Sequence, residues 1–349
     1  MNPSCNLALL AVFICGSAFG EVPISLSADR RSFVAHGVGD GSRFIVRVEG
    51  GEDLPAMAGK VEVTDGGLRF TPRFPLTPGV RYRASVGGFN RVFAIPAADM
   101  TPVARVTAVY PSANVLPENM LKFYLHFSEP MAIGEASGNV RLMGEGGKQV
   151  NLPFLELAEE LWDPDGKRLT LFFDPGRVKR GLKPHKEQGR ALQAGREYRL
   201  HINAAWRDAM GRTMVEDFSK QFRACAVDYK QPDPVKWKVS VPSAGTRDAV
   251  RLAFPEALDH GLLERVLVVY NSEGKAISGV TGVTQGEKEW NWKPDCPWQA
   301  GNYRIVVEAL LEDLAGNSIG RLFEEVDGMR ETWNVRGGRF IRISFTIGG

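Results

Sequence analysis

The chain runs to 349 residues, with 43 Lys and Arg against 41 Asp and Glu and a net charge of +2. So even a balance gives no electrostatic reason to expect nucleic acid or a membrane surface as partner. The 38 glycines and 21 prolines are too few for a low-complexity chain, and they fall between apolar runs, where turns between short strands belong.

In chain order, residues 1–20 carry no charged side chain, and Leu7 to Ile14 is an apolar core followed by Ala18-Phe19-Gly20. This predicts a secretory signal cleaved before Glu21, too short to span a membrane as a helix. No Lys or Arg precedes the apolar core, a departure from the usual pattern. The bulky Ile14 directly before Cys15 argues against a lipid anchor. No later stretch is apolar enough to cross a bilayer.

A first unit is predicted over 21–97. Phe44, Val46 and Val48 alternate there, before a phrase made of Leu68, Phe70, Pro72, Gly79 and Tyr82. After a joint at Ala97–Pro102, a second unit over 103–227 opens on Val106–Pro111. It alternates through Leu121, Phe123, Leu125 and Phe127, then repeats the phrase as Leu171, Phe173, Pro175, Gly195 and Tyr198. Within it, Glu156 to Trp162 could make one or two helical turns. A joint at Asp228–Pro234 leads to a third unit, 233–349, with Val250, Leu252 and Phe254 in alternation. Its copy of the phrase is Trp290, Trp292, Pro294, Gly301 and Tyr303, and Ile341, Ile343 and Phe345 predict a closing strand. A period of two places these side chains on one face of a strand. The Pro ends the ladder and the Gly accepts the turn, so the phrase describes a strand, a crossing turn and a returning strand. In sandwich domains a Tyr at the start of the returning strand can bond backbone a few residues upstream. Tyr82 and Tyr198 fit that corner, whereas Tyr303 stands one residue closer to its Gly. Three related modules in a row, all-β tandem sandwiches, is the resulting fold expectation.

The run Asn-Met-Leu-Lys-Phe-Tyr-Leu-His-Phe-Ser-Glu-Pro-Met, ending at Met131, resembles the bacterial Ig-like domain named after the S-layer protein SbsA. Asp313-Leu314-Ala315-Gly316-Asn317 is similar to the late turn of the same family, and Asp208-Ala209-Met210-Gly211 matches it in the second unit. The resemblance is good for 103–225, fair for 233–347 and weak for 22–95. It implies Ig-like β-sandwiches and an address outside the cytoplasm: secreted, periplasmic or at the cell surface. It implies no catalytic residues; no cofactor and no metal are expected either.

Local constellations add little chemistry. Asp163-Pro164-Asp165-Gly166-Lys167 lacks the spaced third acid and the distant Glu of a calcium loop and is read as a turn. The five histidines are scattered, and neither a Gly-x-Ser-x-Gly elbow nor a phosphate loop is present. Trp290 and Trp292 could form a platform for a sugar ring, although Leu and Phe at the matching positions favour core. Cys225 and Cys296, the two cysteines after the signal, either bridge the second and third units or remain separate thiols. The sharpest candidate is the corner of the second unit. Its Pro and Gly stand 20 apart, against 7 in the other two copies. The added segment carries Arg177, Lys179, Arg180, Lys183, Lys186 and Arg190, a cation cluster that either captures an anionic polymer or is merely a solvated corner. The expectation is thus a secreted, non-catalytic Ig-like repeat protein serving as an envelope or extracellular scaffold. The alternative is a module binding carbohydrate or an anionic polymer, with an uncharacterised hydrolase behind it. Envelope polysaccharide or another surface protein is the expected kind of partner.

Overall fold

The computed structural model describes residues 24–50, 54–178, 186, 189–323 and 339–348. The expected signal, residues 1–20, lies outside the described residues. The chain divides into two compact units, one ending at Asp99 and one beginning at Met100.

The first unit contains β1 (Ile24–Leu26), β2 (Phe33–His36), β3 (Ile45–Val48), β4 (Gly59–Thr64), β5 (Gly67–Pro72), β6 (Arg81–Val86) and β7 (Phe89–Ala94). They form two sheets, β1-β2-β5-β4 and β3-β6-β7. Phe33, Val46, Leu68, Phe70 and Ala84 are the inward members of the alternation and fill the core between the sheets.

The second unit holds two sandwiches. The first comprises β8 (Val106–Tyr110), β9 (Val115–Pro117), β10 (Lys122–Phe127), β11 (Val140–Met143), β12 (Leu161–Trp162), β13 (Arg168–Phe172), β14 (Glu197–Ile202) and β15 (Phe218–Cys225). Its sheets run β12-β13-β10-β8 and β11-β14-β15-β9, with β9 lying parallel to β15. The other comprises β16 (Lys238–Ser240), β17 (Val250–Ala253), β18 (Leu267–Tyr270), β19 (Gly279–Thr284), β20 (Glu289–Pro294), β21 (Gly301–Glu308) and β22 (Phe340–Ile347). Its sheets run β16-β17-β20-β19 and β18-β21-β22. All three sandwiches therefore share the four-plus-three strand order of Ig constant-type domains, the middle one with an added short strand. Glu156 to Trp162 forms no helix; only Leu161–Trp162 is regular, as a strand beside β13.

The repeated phrase is the crossing from one sheet to the other. The chain leaves one sheet at β5, β13 and β20 and enters the facing sheet at β6, β14 and β21. The tyrosine corners form at each crossing. The Thr77 amide donates to the Tyr82 hydroxyl and the Gln193 amide to that of Tyr198, both at 2.9 Å and both five residues upstream. In the third copy Tyr303 stands one residue closer to its Gly, and the polarity reverses. Its hydroxyl donates to the Gln299 carbonyl at 3.0 Å, four residues back.

Candidate functional site

The densest chemistry lies where the two sandwiches of the second unit meet. Along β10, Phe123, Leu125 and Phe127 point into the core, so Lys122, Tyr124 and His126 must point off the opposite face. The third sandwich lies against that face with the loops before β18, between β19 and β20, and after β21. The Lys122 ammonium bonds Asp259 at 3.1 Å and also Glu312, with side chains only 12%, 4% and 21% exposed. Burial alone would pull the lysine's pKa down, but the adjoining Asp259 and Glu312 charges outweigh it and raise the pKa above its ordinary value. The Tyr124 hydroxyl donates to Asp259 at 2.9 Å. Asp259 also accepts from the Leu262 amide at 2.8 Å, capping the helical turn His260–Leu263.

Two glycines allow the approach. A Cβ at Gly261 would stand 2.9 Å from the Tyr124 ring, and one at Gly316, where φ is +83°, would stand 2.2 Å from Leu121 Cδ1. The Leu121 amide donates to the Leu314 carbonyl at 2.9 Å. Leu314 and Phe323 pack against the core of the second sandwich. Beside this pair, Tyr110 stacks on His260 with ring centroids 3.4 Å apart, and His126 meets Tyr110 edge-on. The Glu287 carboxylate accepts the Ser112 amide at 2.8 Å. The expected joint at 228–234 is strapped to both sides. Asn119 exchanges two hydrogen bonds with the Asp228 backbone, and Asn317 donates to the Asp228 carbonyl. The expected boundary therefore falls inside one compact unit, although each sandwich keeps its own core.

Asp228, Glu256 and Asp313 gather here with carboxylate oxygens within 4.8 Å of one another. Among the described residues they are the one acidic or histidine group able to offer three ligand atoms to a cation. Crowding and burial also favour the neutral acid. Burial, reinforced by Asp228, pushes Glu256 up to about 7, and burial holds Asp313 well above the usual carboxylate range despite its bonds from Asn317.

A pH dependence follows. In the unfolded chain Glu256 releases its proton near 4.5, whereas in the folded chain it keeps it to about 7. Between those values the folded state binds more protons, so stability falls as pH rises through the window. Glu256→Gln, neutral throughout, is expected to raise stability at pH 8 by about 1–2 kcal/mol, after allowing for solvent screening of this half-buried group. It should also flatten the melting temperature between pH 5 and 8. Parallel pH profiles for the two proteins would show that Glu256 does not titrate there.

The corner of the second unit is built differently from a free cation cluster. Arg177 is buried, and its guanidinium donates to the carbonyls of Asn151, Leu152, Gly189 and Arg190. It ties the inserted segment to its own backbone. Arg190 pairs with Glu118 at 3.2 Å and with the Tyr229 hydroxyl at 3.0 Å. Two of the six candidate cations are thus consumed internally, Arg177 by backbone carbonyls and Arg190 by a carboxylate and a phenol. Lys186 is exposed; Lys179, Arg180 and Lys183 lie outside the described residues. Cys225 and Cys296 are both exposed, free thiols. The bridge read as one option for them is not formed; Asn119, Lys122 and Ser112 join the sandwiches instead, through hydrogen bonds and an ion pair. Trp290 and Trp292 are 0% and 5% exposed, so they are core and not a sugar platform. The Asp163 carboxylate is spent on the amides of Lys167 and Arg168, as in an ordinary Asx turn.

No family model matches the chain, and no curated protein matches its sequence. Among solved structures, it is similar to the I9–I11 tandem of titin, at 10% identity and a TM-score of 0.23, over 80% of this chain and 89% of that one. It is also similar to the FN1–FN3 domains of chicken CNTN1, at 10% identity and a TM-score of 0.21, over 95% and 99%. A third likeness is to Escherichia coli alpha-2-macroglobulin spanning domains MG0-NIE-MG1, at 11% identity and a TM-score of 0.24, over 59% and 66%. On its own strand orders, the chain is an all-β protein of tandem Ig-like sandwiches.

Proposed function

We propose that the protein is an exported, non-catalytic scaffold of the cell envelope or extracellular space, of the SbsA Ig-like type, in which the second and third sandwiches act as one rigid element. The observation that carries this reading is the joint itself. Its buried lysine, tyrosine and carboxylates are engaged in holding one sandwich against the other, with the Lys122–Asp259–Tyr124 cluster at the centre. A buried ionic cluster of this kind fixes geometry more than it adds stability. No helix among the described residues is long and apolar enough to cross a membrane. The uncharged apolar start of the chain supports export.

The export reading is tested by expressing the full chain in a bacterial host, fractionating the cells and determining the N-terminal residue. Chain recovered outside the cytoplasm and beginning at Glu21 is the expected result. Chain retained in the cytoplasm with Met1 in place would overturn it.

A further inference from the structure

The outer face of the sheet β11-β14-β15-β9 carries an open groove of about 470 Å³, within the size range of small-ligand sites. Strand register builds its lining. Across β14 and β15, Glu197 stands opposite Arg223 and Arg199 opposite Gln221. The four residues alternate with the buried Tyr198 and Phe222, so their side chains form a square on the solvent face. Glu145 and Asn114 complete the polar lining, and Gly146 and Gly147, at φ of +67° and +75°, bring only backbone to it.

Among the described residues, Glu197, Arg199 and Gln221 spend no side-chain atom on a protein partner. Arg223 uses only its Nε, donating to the Gly195 carbonyl at 3.3 Å. The groove thus offers planar carboxylate, guanidinium and amide groups with their donors and acceptors unspent.

We propose that this groove binds a neutral, hydroxyl-rich oligosaccharide. Charge decides against a polyanion, because Arg199 and Arg223 are balanced by Glu145 and Glu197. Burial decides against a peptide, because Tyr198 and Phe222 are 7% and 3% exposed and leave no pocket for an apolar side chain. Adjacent hydroxyls of a pyranose match what remains, since each planar fork can give or take two parallel hydrogen bonds. No exposed aromatic ring lines the groove for a sugar to stack on, so a single site should bind weakly, with a Kd of order 1 mM.

The test uses the full chain, displayed multivalently so that weak sites register, on an array of neutral gluco-, manno- and galacto-configured oligosaccharides with uronate and sulfated sets alongside. The variant carries Glu197→Ala and Arg199→Ala. Both side chains are exposed, so its melting temperature should equal that of the wild type. Binding to at least one neutral series, with a tenfold or greater loss in the variant, is the expected result. No neutral glycan bound, equal binding by the variant, or binding to the acidic sets alone would each overturn the proposal.

Discussion

Asp259→Ala is expected to destabilise the second unit by about 3–5 kcal/mol, the cost of breaking a buried ion pair and leaving a buried hydroxyl and amide without their acceptor. Asp259 serves three groups at once: the Lys122 ammonium, the Tyr124 hydroxyl and the Leu262 amide. Glu312 would still reach the lysine, but it is the more exposed of the two carboxylates and cannot replace the other two bonds. Wild type should unfold in urea as one transition for the second and third sandwiches, because the joint couples them. In the variant the transition should move to lower urea and divide in two as the sandwiches part. Adding Lys122→Met and Glu312→Gln to Asp259→Ala should recover part of the loss, since removing every charge of the cluster is less costly than leaving it incomplete. A single variant within about 1 kcal/mol of wild type would show that the cluster does not hold the joint.

Trp292→Ala is expected to cost about 3–5 kcal/mol through the cavity it leaves. The indole is 5% exposed and lies against Trp298 with ring centroids 5.6 Å apart. On the neighbouring strand β19, Gly279 makes room for it. A Cβ there would stand 2.4 Å from Trp292 Cζ2, which explains a glycine at the start of a strand. The loss should appear as a shift in the urea midpoint with an unchanged slope, because the folded surface is the same. A change below about 1 kcal/mol would mean that the site collapses without a cavity, contrary to its close packing. Retained sugar binding by this variant is also expected, since the ring faces the core.

The sheet strands were legible because their physical cause is local. Each inward face repeats every second residue, and each crossing needs a Pro to end one ladder and a Gly to turn. Hence spacing places Leu68, Phe70 and Phe173 in cores, and the matching positions favour core for Trp290 and Trp292, which burial bears out. The corners at Tyr82 and Tyr198 were equally readable, since each spans five residues. The same alternation put Lys122, Tyr124 and His126 on the outer face of β10, where polar residues ordinarily meet water.

That these three meet Asp259, Glu312 and His260 instead is a matter of contacts more than a hundred residues apart. No local pattern encodes such a separation. The same holds for Arg177, which looked like one of six solvated cations and turned out to be a buried clamp on four carbonyls. A guanidinium's partners are set by how the corner folds back, not by its neighbours in sequence. The strands, their inward faces and the crossings follow from side-chain alternation and turn chemistry, which are local. Which outer faces are buried, which charges are spent and where three carboxylates converge emerge only in the folded chain. Those outcomes depend on one sandwich docking against another, and docking is a property of surfaces assembled from distant parts of the chain.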